Sequence, residues 1–75
     1  HIGKECEVAK DSQVGPYAVL GDDCRIRSGA VVENSILWEG VTIGSRATVQ
    51  NSIIGNGVSI DSGEQVSDSS LLSTG

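Results

Sequence analysis

An aliphatic residue at every sixth position constrains this chain more than any other feature it has. From Ile2 the series runs Val8, Val14, Leu20, Ile26 and Val32; the step then shortens to five and reaches Leu37, Ile43 and Val49. Another step of five leads to Ile54, Ile60 and Val66, and a third to Leu71. These thirteen positions are all Ile, Leu or Val, in a chain with only twenty such residues, so chance is a poor explanation. A fixed period of this kind marks a repeat architecture. The short step returns at every third unit, which gives a superperiod of seventeen: Asn34-Ser35-Ile36-Leu37 recurs as Asn51-Ser52-Ile53-Ile54 and, more loosely, as Asp68-Ser69-Ser70-Leu71. Three units therefore make one turn.

The glycines give the same frame independently. With each aliphatic residue as position one, Gly3, Gly15, Gly21, Gly44 and Gly55 fall at position two, and Gly29, Gly40, Gly57 and Gly63 at position four. Positions three and four read Asp-Asp, Ser-Gly, Glu-Gly and Asn-Gly, dipeptides that supply positive φ and side-chain hydrogen bonds in tight turns. Positions five, six, one and two then form a short strand, with five and one facing inward and six and two outward. The expectation is an all-β fold: residues 1–75 as one parallel β-solenoid of triangular section, with three short sheets and a little over four coils. Strands about 4.8 Å apart make such a stack roughly 20 Å tall. The [Ile/Leu/Val]-Gly-x-x-[small]-x units resemble the hexapeptide-repeat proteins. That resemblance implies a left-handed parallel β-helix, an exception to the right-handed crossover rule.

Position five should be small. On the second sheet (that of Ile26) it is Cys6, Cys24, Val41 and Val58, and on the third (that of Val32) Ser12, Ala30, Ala47 and Glu64; only Glu64 is out of place, reaching past the open end to water or discouraging further stacking. On the first sheet (that of Leu20) the short unit leaves two arrangements. Either the missing residue is lost from the turn, with Ser35, Ser52 and Ser69 inward and Ile36 and Ile53 outward, or it is lost from the strand and the isoleucines are buried. The first preserves side-chain alternation and is preferred. The outer surface of that sheet then carries Val19, Ile36, Ile53 and Ser70 beside Gly21, Trp38, Gly55 and Leu72. Val19, Ile36, Trp38, Ile53 and Leu72 are thus the candidate interface, because apolar residues stacked in register around an aromatic form a docking surface.

Other residues point to structure rather than chemistry. Cys6 and Cys24 share an inward column, within reach of a disulfide in principle, but read as free buried thiols. Asn34, Asn51 and Asp68 stack at one corner as a hydrogen-bonded ladder. His1 has no fixed partner and is assigned no role. No catalytic, cofactor-binding or metal-binding residue is identified.

Lys and Arg number five against ten carboxylates, net −5, with no basic cluster along the sequence, which argues against nucleic-acid and anionic-membrane partners. No apolar run approaches a membrane span or a signal-peptide core, so the expected compartment is the cytoplasm. The short length, the absence of Met and Phe and a first residue of His1 suggest a segment cut from a longer chain. Val32-Glu33-Asn34-Ser35-Ile36-Leu37-Trp38-Glu39-Gly40-Val41-Thr42-Ile43-Gly44, followed by Val49-Gln50-Asn51-Ser52-Ile53-Ile54-Gly55-Asn56-Gly57-Val58, resembles the C-terminal repeats of sugar-1-phosphate nucleotidyltransferases, most of all mannose-1-phosphate guanylyltransferases. Glucose-1-phosphate enzymes and related subunits of the eukaryotic initiation-factor exchange complex share such repeats. The resemblance implies a parent enzyme whose N-terminal domain carries the phosphate loop and uses Mg²⁺. It implies that this C-terminal segment is non-catalytic and positions or oligomerises catalytic domains, its partners being its own catalytic domain or further copies. Two alternatives stand beside it: a fragment of a hexapeptide acyltransferase, which would need a histidine from elsewhere, and a stand-alone scaffold or regulatory subunit.

Overall fold

The computed structural model describes residues 2–72. Among them there is no helix, and the strands are two or three residues long. The second sheet stacks β1 (Glu7–Val8), β4 (Arg25–Ile26), β7 (Thr42–Ile43) and β10 (Ser59–Ile60) in that order. The third stacks β2 (Gln13–Val14), β5 (Val31–Glu33), β8 (Thr48–Gln50) and β11 (Gln65–Ser67). The first stacks β3 (Ala18–Leu20), β6 (Ser35–Leu37), β9 (Ile53–Ile54) and β12 (Ser70–Leu71). All pairs are parallel, and successive strands of the chain fall on successive sheets, so the chain is a three-sided β-solenoid of about four turns.

Register follows the sequence period. Glu7 pairs with Arg25 and Gln13 with Val31, eighteen residues on; after that Arg25 pairs with Thr42, Val31 with Thr48 and Ile36 with Ile53, seventeen on. The first coil has no shortened unit, which accounts for the extra residue. Position-one residues from Leu20 to Val66 are buried and form the core with Cys24, Ala30, Val41 and Ala47 from position five. At the outermost first coil, where no described coil lies beyond, the inward-type Ile2 and Val8 remain 52% and 42% exposed.

The corners explain how the short strands close into a coil. The residue just before each position-five residue adopts positive φ: Glu5, Asp23, Gly40 and Gly57 at one corner, Gly29, Arg46 and Gly63 at the next, and Tyr17, Asn34, Asn51 and Asp68 at the third, with Asp11 the exception. Its amide donates to a carbonyl of the preceding coil, as from Gly40 to Asp22 at 2.9 Å, Arg46 to Ser28 at 2.9 Å and Asn34 to Pro16 at 2.9 Å. Hydrogen bonding between coils thus continues around the turns. Such bonds matter because an unpaired buried backbone group costs about as much as a lost hydrogen bond.

Where the shortened unit loses its residue is now settled. Asn34, Asn51 and Asp68 keep the left-handed seat, so the loss falls in the turn before them and strand alternation is undisturbed. Ser35 is therefore inward at 2% exposure and Ile36 outward at 43%. Glu64, on the last full coil, is exposed. No helix among the described residues is long and apolar enough to cross a membrane.

Candidate functional site

The first sheet places its outward side chains by the same alternation that buries its serines. Val19 pairs with Ile36 and Ile36 with Ile53, so the three stand in one ladder at the strand spacing of about 4.8 Å. Trp38 follows Leu37 at position two and is 54% exposed, and Leu72 is exposed beyond the end of β12. All five candidate interface residues face outward. Four of them, Val19, Ile36, Trp38 and Ile53, share the continuous face of the central coils, and Leu72 sits at its C-terminal end.

Trp38 is accommodated by its neighbours in the stack. Gly21 and Gly55 occupy the same column one coil to either side. A Cβ on Gly21 would lie 2.8 Å from the carbonyl carbon of Trp38, so the backbones approach there more closely than an alanine allows. The result is a shallow groove walled by Trp38, Val19 and Ile36 over a floor of Gly3 and Gly21. A second groove runs on the other side of the aliphatic ladder, bounded by Tyr17, Asn34 and Asn51. Tyr17 is the most exposed of the large apolar side chains and was not singled out from the sequence. Its signal was its place at position four, the turn seat whose side chain points to solvent. One aromatic thus stands at each margin of the aliphatic strip.

The polar groups nearby are structural. Asn34 Nδ2 donates to Asn51 Oδ1, which forms the expected corner ladder at its first step. Beside it Gln50 Nε2 donates to Glu33 Oε1 at 2.5 Å. Beneath the sheet, Ser35 Oγ donates to the Glu33 carbonyl at 2.9 Å and accepts from the Ser52 amide at 3.1 Å; Ser52 Oγ donates to Gln50 at 2.7 Å and accepts from Ser69 at 3.2 Å. The inward polar column is fully paired, so it offers nothing to a ligand.

Cys6 and Cys24 are both free. Each thiol turns to a backbone carbonyl, Cys24 Sγ to Trp38 at 3.0 Å and Cys6 Sγ to Gly21 at 3.2 Å. Burial pushes the Cys24 thiol up from its ordinary value, which keeps it protonated and inert. Among the described residues, no three His, Cys, Asp or Glu side chains come together to hold a metal ion. His1, the one histidine, lies outside the described residues.

A three-sided parallel solenoid built on hexads, with an aliphatic and small-residue interior, defines a hexapeptide-repeat β-helix module. Its distinctive surface is an apolar face. The family model for the GMPPB C-terminal domain matches residues 1–75, and the chain belongs to that family, the C-terminal domain of a sugar nucleotidyltransferase. No curated protein and no solved structure shows significant similarity to the chain.

Proposed function

We propose that this segment is a non-catalytic assembly domain of a mannose-1-phosphate guanylyltransferase-like enzyme, acting in the cytoplasm. In this reading the apolar face of the first sheet docks the enzyme's own catalytic domain or another copy of the chain. The supporting observation is the in-register ladder of Val19, Ile36 and Ile53 beside a half-exposed Trp38. Water-exposed apolar surface of that continuity is costly to leave uncovered, at about 25 cal/mol per Å². Chemistry, including the use of Mg²⁺, is assigned to the N-terminal domain of the parent enzyme and not to these coils.

The test is a double substitution, Ile36→Ser with Trp38→Ser, followed by size-exclusion chromatography with light scattering. Both side chains are outward, so the coil stack survives the change. The expected result is a shift to a smaller species. An unchanged mass would rule out self-association through the apolar face.

A further inference from the structure

The fold gathers charge that the sequence scatters. Lys10, Arg25, Arg27 and Arg46 all come to the second sheet or the corner that follows it, together with Glu7, Asp11 and Asp61. This region carries four cations and three carboxylates, net +1, while the rest of the chain carries Lys4 against seven carboxylates, net −6, within the total of −5. Glu7 and Asp11 are occupied, and Asp61 stands beside Gly44 at the end of the last strand of the sheet. Glu7 Oε2 lies 4.0 Å from Arg25 Nε, and Asp11 accepts from the Ser28 hydroxyl at 2.7 and 2.8 Å to its two oxygens.

Arg27, Arg46 and Lys10 have no ion pair or side-chain hydrogen bond among the described residues. Arg27 stands in its column between Ala9 and Gly44, so no side chain larger than a methyl group flanks it. The Arg46 stem crosses Gly29, with Cγ 2.9 Å from where a Cβ there would sit. A shallow groove bordered by Ala9, Arg25 and Arg27 continues through Ser28 and Ser45 to Arg46.

We propose that this groove binds an extended acidic segment of a protein partner, with carboxylates at alternate residues. Arg25 and Arg27 are two apart on one edge of the strand, about 6.6 Å, which is also the same-face repeat of an extended peptide. A segment lying along β4 therefore presents a carboxylate to each, and the guanidinium fork matches a carboxylate in two parallel hydrogen bonds. Arg46 and Lys10 extend the positive field at the groove's end. The acidic remainder of the surface repels the same segment elsewhere, which fixes where it docks. A single-stranded nucleic acid is the poorer match, since stacking platforms are aromatic and both exposed aromatics, Tyr17 and Trp38, belong to the first-sheet side. The groove lies on a different sheet from the apolar face, and the proposal does not depend on the assembly reading.

The experiment is fluorescence anisotropy with the dye-labelled peptide Glu-Thr-Glu-Thr-Glu-Thr-Glu at about 20 mM and about 200 mM salt, where screening differs several-fold. A peptide of the same residues with its glutamates contiguous, an oligothymidylate and tripolyphosphate are the comparison ligands. The variant combines Arg27→Ser with Arg46→Gly, glycine being chosen because Arg46 sits at φ 59°. Circular dichroism and an Arg27→Lys single variant separate lost binding from lost fold. The proposal expects the alternating peptide to bind about tenfold more tightly than the contiguous one, to weaken with salt, and to lose about tenfold in the double variant. It is overturned if a folded double variant binds as wild type, if the two peptides bind equally, or if oligothymidylate or tripolyphosphate binds more tightly.

Discussion

Ser52 shows how a polar residue serves an aliphatic interior. Its hydroxyl donates to the Gln50 carbonyl within its own coil and accepts the Ser69 amide from the next, so one side chain ties two coils together. The shortened unit needs such a residue, because losing a turn residue leaves an inward amide that the ladder of strands does not reach. Ser52→Ala leaves the Ser69 amide without its acceptor and should cost about 1–3 kcal/mol in urea denaturation. Ser70→Ala, on the exposed side of the same sheet, should stay within about 0.5 kcal/mol. Equal midpoints for the two would show that the ladder contributes nothing. The inward serines and their neighbouring Asn and Asp were legible as a motif in the sequence. Alternation favoured the serines inward over the isoleucines, and the positive φ of Asn34, Asn51 and Asp68 decided it.

Two-residue strands are too short to hold a sheet by themselves, so each depends on close stacking with the coils on either side. Position two is where that closeness shows. At Gly44 a Cβ would lie 2.5 Å from the Ser62 nitrogen and 2.7 Å from the Asp61 carbonyl carbon, and neither backbone atom is free to move aside. At Gly57 a Cβ would meet nothing within 4 Å, although φ is +70°. Gly44→Ala should therefore destabilise by about 3 kcal/mol through overpacking, and Gly57→Ala by about 1 kcal/mol through backbone strain alone. Thermal melts of the pair give the order, and a reversed order would mean that the coils can separate at little cost. The sequence already separated the two by position, Gly44 at position two and Gly57 in a turn dipeptide at position four, but not the closeness of the next coil at Gly44. Two physical demands, interstrand distance at position two and left-handed backbone at position four, lie behind one residue type.

A solenoid is stabilised by contacts between neighbouring coils rather than by one central core. Protection from exchange should therefore fall from the middle of the stack outward. Ile26, Ile43 and Val49 are buried between coils on both sides, whereas Ile2 and Val8 lie half-open on the first coil. Hydrogen exchange of the 75-residue chain should show the slowest amides on β4 to β8 and markedly faster ones on β1 and β2. Uniform protection would instead indicate a single cooperative unit held together across the ends. Charge is also arranged at this scale. Lys10, Arg25, Arg27 and Arg46 look dispersed along an acidic chain, and reading no basic cluster from the sequence was a statement about neighbours in one dimension. A coil of seventeen or eighteen residues makes Arg46 a neighbour of Ser28 and Gly29 instead.

The hexad of aliphatics determined by itself that the chain is a three-sided parallel β-solenoid and which position-one side chains fill it. Each of these follows from local periodicity and from the strict alternation of a strand. Tertiary structure decided between the two arrangements of the shortened turn, set Tyr17 at the margin of the apolar face, and brought Lys10 and Arg46 to the corner beside the arginines of the second sheet. Those outcomes depend on the conformation of a single corner residue and on which coil lies against which. Neither is encoded in the spacing of apolar residues.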